Sequence, residues 1–169
     1  VSVLSTNRIL NIQPTAANNV WCITQDHKLY LYDTHLCQFL KTSNQINEKF
    51  KVDFRADNIY DINGGNTWVT SANADYLLRT NDTDVLDFEL IHVGQKGLKS
   101  GKVYFIYGDK KHREWILTDK GTTIYGKKFS TNVPYKWIRE VGEYVFLATE
   151  NGKVIVVDEK NRATNVPLP

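Results

Sequence analysis

Residues that could do acid–base, metal or nucleophilic chemistry are scattered along this 169-residue chain. The histidines stand in separate contexts, without the HxxxH, HxH or HExxH spacing that brings two imidazoles onto one metal. They are His27, His35, His92 and His112. No GxSxG motif is found, no Ser or Cys of a nucleophile motif stands beside a His, and no phosphate-binding glycine loop is present. The sequence therefore predicts no catalytic residues, no metal site and no cofactor.

The two cysteines, Cys22 and Cys37, are too few for a disulfide framework and lack the partners of a zinc site. A hairpin that turns near Asp26 would place the cross-strand neighbour of Cys22 near Leu31, well short of Cys37. We expect two ordinary thiols, and a bridge between them is the alternative.

Three stretches have residue types that occur in binding or modification sites. The charged run 109–114 (DKKHRE) and the lysines of 125–128 (YGKK) form either a basic rim or, as we favour, solvated turns that keep strand edges from pairing. Tyr135 and Trp137 alternate in 134–140 (PYKWIRE), where they either stack on a sugar ring or, as we favour, fill the core between sheets. The run 81–83 (NDT) matches a glycosylation sequon. None of these patterns assigns a binding residue.

The composition is typical of a folded globular domain. Apolar residues make up 41% and charged residues 24%, with 21 basic against 19 acidic side chains. A net charge of +2 gives no reason to propose nucleic acid or an anionic membrane as a partner. No stretch approaches the roughly 20 apolar residues of a membrane helix, and the first ten residues lack the pattern of a signal peptide. Because the chain contains no Met, we expect a piece of a longer protein.

The elements that would position any site come from a segment that recurs four times. The copies are NNVWCITQDHKLYLYD, GNTWVTSANADYLLRT, HREWILTDKGTTIYG and EYVFLATENGKVIVVD, with the aromatic anchors Trp21, Trp68, Trp115 and Phe146. Three residues after each anchor stands a hydroxyl, at Thr24, Ser71, Thr118 and Thr149. Six residues after it is the slot where a tight hairpin needs a positive φ, at His27, Ala74, Gly121 and Gly152. Each copy predicts a hairpin, near 18–33, 66–80, 112–126 and 143–158, with the hydroxyl bonded inside its turn.

The spacing of the hairpins indicates propeller blades. The anchors are 47, 47 and 31 residues apart, and a period in the forties with only strand signals is typical of blades. Further strands are predicted before the hairpins at 8–14, 57–63, 101–108 and 136–142, and after them at 35–41 and 86–93. The run 127–135 leaves little room for an outer strand, so we expect the third blade to be trimmed. No window has the spacing of an amphipathic helix. The predicted fold is all-β, a single β-propeller-like segment of about four antiparallel blades over residues 1–169.

Each blade has apolar residues on both faces, such as Trp68 and its neighbour Val69, and one sheet cannot cover both. We therefore predict that neighbouring sheets stack and that the anchors fill the layers between them. The first and last sheets would then expose an apolar face, from which we expect self-association or an alternative packing of the terminal sheets.

The four segments resemble the two-component regulator propeller repeat, best in VWCITQDHKLYLYD and WILTDKGTTIYG, with Phe for Trp in VFLATENGKVIVVD and a looser fit in TWVTSANADYLLRT. This resemblance implies a piece of the periplasmic sensor region of a hybrid two-component system of the kind found in Bacteroidetes. A second stretch, 61–68 (DINGGNTW), resembles the Asp-box of sialidase-like propellers, with Asp61 in the Ser place and Asn63 in the Asp place.

We expect from these resemblances a non-catalytic, extracytoplasmic sensor segment that detects a carbohydrate or other small ligand. The expected partners are an oligosaccharide or small molecule and a second copy of the chain, with no nucleic acid and no membrane contact by this segment. One alternative is a propeller scaffold that binds proteins without a small ligand. A less favoured one is a fragment of a sialidase-like glycoside hydrolase.

Overall fold

The computed structural model describes residues 8–15, 18–40, 42–62, 66–81 and 84–167. Within these ranges the strands form four antiparallel sheets of four strands, each sheet in chain order. Sheet 1 contains β1 (Ile9–Pro14), β2 (Asn19–Thr24), β3 (Leu29–Asp33) and β4 (Gln38–Leu40). Sheet 2 contains β5 (Ala56–Ile62), β6 (Asn66–Ser71), β7 (Tyr76–Asn81) and β8 (Asp84–His92).

Sheet 3 contains β9 (Val103–Gly108), β10 (Glu114–Thr118), β11 (Gly121–Ile124) and β12 (Ser130–Thr131). Sheet 4 contains β13 (Trp137–Val141), β14 (Tyr144–Ala148), β15 (Val154–Val157) and β16 (Ala163–Val166). Four sheets of this build confirm the all-β, blade-like fold class. With only two residues, β12 leaves the third sheet trimmed, as predicted. Strand β16 was not predicted, because it is only four residues long and mostly exposed.

One helix, α1 (Thr42–Phe50), lies between sheets 1 and 2, where no helix was predicted. It is nine residues long and mostly polar, which is shorter than the window over which helical periodicity becomes visible. Ile46 is fully buried, and Ser43 accepts a 2.6 Å hydrogen bond from the backbone N–H of Leu29. Tertiary contacts of this kind hold a helix that is too short to be stable alone. No helix in the described ranges is long and apolar enough to cross a membrane.

The hairpin turns have the predicted geometry. The slot six residues after each anchor has a positive φ in all four copies: 63° at His27, 58° at Ala74, 150° at Gly121 and 84° at Gly152. The hydroxyl three residues after each anchor bonds within its turn, as at Thr118, which donates to the carbonyl of Gly121 (3.0 Å). His27 is held by its ring Nδ1, 2.8 Å from the carbonyl oxygen of Ala56. This contact offsets part of the strain of a non-glycine residue in the left-handed region.

Contacts divide the chain into two compact units, with sheets 1 and 2 in unit 1 and sheets 3 and 4 in unit 2. The prediction of one segment over residues 1–169 stays a prediction. In unit 1 the two sheets and α1 share one apolar core. Its members include Trp21, Ile23 and Leu31 of sheet 1, Val69 and Leu78 of sheet 2, and Ile46 of α1. Trp68 is also fully buried, on the opposite face of β6 from Val69.

In unit 2, sheets 3 and 4 share a second core. Its members include Trp115, Leu117 and Ile124 of sheet 3, and Ile138, Val145, Leu147, Ile155 and Val157 of sheet 4. Phe146 is not among them. It is half-buried on the face of β14 opposite Val145 and Leu147, and sheet 3 lies on the covered side. The predicted burial of the anchors is therefore confirmed for the three tryptophans, which are 0% exposed, and wrong for Phe146.

Candidate functional site

An open cleft of about 520 Å³ lies in unit 2 between three connected elements. Tyr104 comes from β9, Asn132 and Lys136 from the connection between β12 and β13, and Glu150 and Asn151 from the turn between β14 and β15. The hairpin turn is fixed by Thr149, whose backbone N–H donates to the carbonyl of Lys153 (2.9 Å). The polar groups are thus held by backbone that the sheets determine.

Lys136 is the central polar side chain of this cleft. Its ammonium nitrogen lies 2.5 Å from Oε2 of Glu150 and 5.5 Å from the centre of the Tyr104 ring. The hydrogen bond with Glu150 raises the pKa of Lys136 above its ordinary value, so the ammonium stays charged at neutral pH. Its backbone N–H donates to the carbonyl of Ala148 (2.9 Å), which fixes the residue against β14.

The remaining groups are suited to hydroxyl-rich ligands. The Tyr104 side chain is 38% exposed and offers a ring face. Thr149 donates its hydroxyl hydrogen to Oδ1 of Asn151 (2.5 Å), so the amide nitrogen of Asn151 is the part that can donate to a ligand. Asn132 and Lys153, both exposed, add further donors along the wall. The cleft can take a small polar molecule that has one apolar face.

The charged run 109–114 is only partly the solvated turn that the sequence predicted. Lys110, Lys111 and His112 are exposed, whereas Asp109 and Arg113 are buried. Asp109 accepts hydrogen bonds from Nε of Arg113 (2.6 Å) and from the indole N–H of Trp115 (2.8 Å). Burying a charge is costly unless it is paired and hydrogen-bonded, and this network meets both conditions. Its role is structural.

Arg113 also connects sheet 3 to sheet 4. Its Nη1 donates to the carbonyl of Asp158 (2.7 Å) and to Oδ1 of Asn161 (3.0 Å). The other basic stretch contributes to a second, more open cleft of about 510 Å³, in which Lys127 and Lys128 lie with Lys160. Asp109 and Arg113 thus belong to the buried network, and the lysines of 125–128 line this cleft.

The two aromatics of 134–140 do not share a face. Tyr135 precedes β13 and is buried in the core of unit 2, as favoured, and burial raises its pKa. Trp137 is 52% exposed, so the core interpretation is wrong for it. The prediction that both aromatics share a face assumed that both lie in one strand. Tyr135 precedes β13, so the alternation of side chains along a strand does not apply to it.

The remaining sequence candidates do not converge on a site. His27 lies in a turn, His92 packs edge-to-face on Tyr76, and His35 and His112 are exposed. In the described ranges no three His, Cys, Asp or Glu side chains are close enough to hold a metal ion.

The two cysteines are free thiols, as expected. Cys22 is buried and Cys37 is exposed. The cross-strand partner of Cys22 is Tyr30, one residue from the predicted Leu31. The Asp-box stretch and the glycosylation sequon fall partly on 63–65 and 82–83, which lie outside the described residues.

The cleft itself was missed from the sequence. Tyr104 appeared only as a residue of a predicted strand, and nothing in 101–108 distinguishes an exposed ring from a buried one. Lys136, Glu150 and Asn151 lie in connections whose approach to β9 depends on how sheets 3 and 4 pack. The sequence contains one weak signal for the cleft. The dipeptide Asn151-Gly152 predicts a tight turn, and this turn forms one wall of the cleft.

Comparison with known proteins shows that extracellular domains of hybrid two-component systems have a similar fold. No protein-family profile matches the chain, and no curated protein sequence matches it. Solved structures match almost its whole length. The extracellular domain of the hybrid two-component system BT4673 of B. thetaiotaomicron is 18% identical with a TM-score of 0.66, over 99% of this chain and 23% of that one. The extracellular domain of BT3049 from the same organism is 18% identical with a TM-score of 0.61, over 98% of this chain and 22% of that one.

An enzyme has a similar fold. Virginiamycin B lyase from Staphylococcus aureus is 14% identical with a TM-score of 0.58, over 98% of this chain and 58% of that one. The chain thus spans less than a quarter of the two sensor chains and somewhat more than half of the lyase. Because extracellular domains of two-component systems and an enzyme share this fold, the absence of catalysis stays a prediction. At the level of the fold, the matches confirm the resemblance to the propeller region of hybrid two-component systems.

Proposed function

We propose that this chain is a non-catalytic, extracytoplasmic sensor segment of a two-component signalling protein and that it binds a carbohydrate or similar small polar ligand in the Tyr104 cleft. The observation that carries the proposal is the cleft's composition: an exposed ring beside the charged pair of Lys136 and Glu150. The fold shared with two extracellular sensor domains supports the signalling role.

The chemistry favours a sugar over a fully apolar ligand. The hydroxyls of a sugar both donate and accept hydrogen bonds, so they can bond a carboxylate, an ammonium and an amide at once. The C–H face of a sugar ring packs on an aromatic ring such as that of Tyr104. A fully apolar ligand would leave Lys136 and Glu150 without solvent and without new partners, which costs free energy.

Isothermal titration calorimetry against a panel of neutral and acidic oligosaccharides tests this proposal. Tyr104→Ala should raise the dissociation constant at least about tenfold, which corresponds to a loss of about 1.4 kcal/mol of binding free energy. Phe105→Ala is the matched control, since Phe105 is similarly exposed and follows Tyr104 in β9 but does not line the cleft. A panel without a binder, or binding that tolerates Tyr104→Ala and not Phe105→Ala, would contradict the proposal.

A protein-interaction scaffold is the second candidate, favoured by the large apolar side chains exposed on sheet 4, Trp137, Val141 and Tyr144. It predicts a protein partner and no stabilisation by sugars, whereas a bound sugar at 100 times its dissociation constant adds about 2.7 kcal/mol to stability. A third and less favoured hypothesis is a fragment of a sialidase-like hydrolase. Release of a chromogenic aglycone from sialosides would support it.

A further inference from the structure

The second cleft of unit 2 is lined by three lysines and, among the residues that the structure describes, by no acidic side chain. We call it the lysine cleft; it is formed by 126–130, where the chain turns from β11 into β12, and by Lys160 and Asn161 between β15 and β16. Lys127, Lys128 and Lys160 are exposed. The volume of about 510 Å³ is within the range of small-ligand sites. A cleft whose walls carry one sign of charge attracts ions of the opposite sign.

The acidic residues next to Lys160 are bound elsewhere. The carboxylate of Asp158 accepts hydrogen bonds from the backbone N–H groups of Lys160 and Arg162 (both 2.9 Å) and from Nε of Arg162 (2.7 Å). Oε2 of Glu159 lies 3.7 Å from Nζ of Lys111. Within the described ranges none of the three lysines of the cleft forms an ion pair. Their positive charges are therefore left for a ligand or for ions of the solvent to neutralise.

Asn161 is held in one wall of the cleft by a buried residue of the adjacent sheet. Arg113, which is 5% exposed, donates from Nη1 to Oδ1 of Asn161 (3.0 Å). A guanidinium group only donates, so the amide oxygen of Asn161 faces it and the amide nitrogen is left to donate to a ligand. The backbone N–H of Asn161 donates to the carbonyl of Asp158 (3.1 Å). Bonds within the protein thus fix this wall.

The other wall is anchored in the core of unit 2. Phe129 packs edge-to-face on Trp115, with the ring centres 5.5 Å apart. The turn is closed by the backbone N–H of Lys127, which donates to the carbonyl of Ile124 (3.1 Å), and by the N–H of Ile124, which donates to the carbonyl of Phe129 (3.1 Å). The cleft therefore lies where sheet 3 meets sheet 4, and not on the uncovered face of sheet 4.

The donors of this cleft are suited to oxyanions. An ammonium group is a compact charge with three N–H donors and no acceptor, and the amide nitrogen of Asn161 also only donates. Sulfate, phosphate and carboxylate oxygens accept such bonds, and a charge on either partner strengthens them. Three positive charges exceed what one carboxylate neutralises. A ligand with several oxyanion groups therefore fits the cleft better than a single one.

We propose that the lysine cleft binds a small ligand that carries two or more oxyanion groups, as sulfate, phosphate or carboxylate. Lys127 and Lys128 of sheet 3 and Lys160 of sheet 4 pair with these groups, and the amide of Asn161 donates to one of them. The site is separate from the Tyr104 cleft, because the two clefts lie at opposite ends of β15. This proposal does not depend on the proposed function.

Isothermal titration calorimetry of the whole chain with four probes tests the site: inorganic sulfate, pyrophosphate, digalacturonate and a disaccharide with two sulfate esters. At least one multiply charged probe should bind with a dissociation constant between about 10 µM and about 1 mM, and inorganic sulfate more weakly. The order of the probes shows which oxyanion the cleft prefers. Raising NaCl from about 50 to about 500 mM should weaken binding, because salt screens exposed charges.

Lys128→Gln and Lys160→Gln change one lysine from each sheet. Each should raise the dissociation constant about threefold and the double variant about tenfold, which is the scale of exposed ion pairs. Lys102→Gln is the matched control, because Lys102 is exposed and precedes β9 at the other end of sheet 3, where its carbonyl accepts the backbone N–H of Asp119 (3.0 Å). It makes the same change in charge and should leave binding intact.

Circular dichroism shows whether each variant is folded. If a variant is not, a two-dimensional NMR titration of the wild type locates the ligand, since the amide signals of Gly126 and Asn161 should shift. Unchanged signals at both residues would contradict the proposal. So would the absence of binding by every multiply charged probe, or a loss in the double lysine variant no larger than that in Lys102→Gln.

Tyr104→Ala separates the two clefts. Binding of a multiply charged probe that persists in this variant and weakens in the lysine variants supports the lysine cleft. Binding that is lost in Tyr104→Ala and unchanged in the lysine variants would overturn the proposal. Failure of neutral sugars to bind the wild type, with the multiply charged probes still bound, would count against the sensor function alone.

Discussion

Sheets 3 and 4 present the same face of the same repeat, and only the first of these faces is covered. Trp115 is 0% exposed because sheet 4 packs on it, whereas Phe146, in the same position of the hairpin, is half-buried. In each hairpin the anchor pairs with an apolar residue of the next strand, Trp115 with Ile124 and Phe146 with Val156. The difference therefore comes from what lies against each sheet and not from the sheet itself.

This comparison shows which part of an anchor's role is local. An aromatic residue in this position forms a strand of the hairpin whether or not it is covered. Its contribution to stability depends on the neighbouring sheet, because burial of apolar area is what stabilises. Trp115 gains a second function from its sheet, since its indole N–H satisfies the buried carboxylate of Asp109.

The largest expected effect is the difference between the covered and the open anchor. Trp115→Ala should cost about 3–5 kcal/mol of the free energy of unfolding, and Phe146→Ala about 1 kcal/mol, because only the first leaves a large cavity. Urea unfolding followed by far-UV circular dichroism measures both. If Trp115→Ala does not fold, Leu147→Ala on the covered face of sheet 4 against Val156→Ala on its opposite face gives the same comparison. Equal costs on the two faces would contradict the packing described.

The turn glycines of the two sheets extend the comparison. A Cβ on Gly121 would overlap the backbone carbonyl oxygen of Thr131, whereas one on Gly152 would meet nothing within 4 Å. Both have positive φ, so Gly152→Ala should cost about 1 kcal/mol from the backbone alone. Gly121→Ala should cost at least about 2–3 kcal/mol, because backbone strain and overlap add. Thermal unfolding of the two variants measures both losses of stability. A larger loss for Gly152→Ala than for Gly121→Ala would argue against the pairing of β11 with β12.

A smaller effect should separate two buried tryptophans. The indole N–H of Trp115 donates to Asp109, while that of Trp21 has no hydrogen-bond partner among the described residues. Changing each to Phe removes a similar volume. The loss at Trp115 should exceed that at Trp21 by about 1–3 kcal/mol, because a buried carboxylate loses a donor. Chemical denaturation of both variants measures the difference, and a larger loss at Trp21 would refute the assigned role of Asp109.

The smallest effect concerns pH and the loop between β15 and β16. The pKa of Asp158 lies below its ordinary value, chiefly because its carboxylate accepts the backbone N–H of Arg162 (2.9 Å), helped by the Arg162 side chain (2.7 Å). A lowered pKa in the folded state means that the stabilisation is present above the ordinary Asp pKa of about 3.9 and is lost as the pH falls through the folded value.

Asp158→Asn should therefore be slightly less stable than the wild type at pH 7, and the difference should shrink below about pH 4. In Arg162→Ala the pKa of Asp158 should rise only in part, because the backbone donors remain. A two-dimensional NMR titration of the Asp158 carboxyl group measures this. An Asp158 pKa at or above the ordinary value in the wild type would exclude the loop geometry.

The local features of this fold could be predicted from the sequence. The hydroxyl at Thr118 and the turn slot at Gly121 are sufficient for a hairpin, because both act within a few residues. The helix α1 could not be predicted, since its burial depends on Ile46 meeting the core of unit 1. The half-buried state of Phe146 could not be predicted either, because the pattern of a strand is the same with or without a neighbouring sheet.

The candidate site was still less visible in the sequence. Asp109 and Arg113 were predicted to be solvated, because charged runs in loops usually are. The indole N–H of Trp115, which donates to Asp109, cannot be located from the spacing of residues alone. The Tyr104 cleft is formed by three segments distant in sequence, Tyr104 itself, the connection at Lys136 and the turn at Glu150. Only the packing of sheet 3 with sheet 4 brings them together.

Native-state oxidation of the tryptophans with N-bromosuccinimide, mapped by mass spectrometry, tests the difference between covered and open faces most directly. Trp21, Trp68 and Trp115 should be protected at every protein concentration. Trp137, which is 52% exposed, should react fast. Oxidation of Trp115 as fast as that of Trp137, or a Trp137 protected even in dilute protein, would contradict the account.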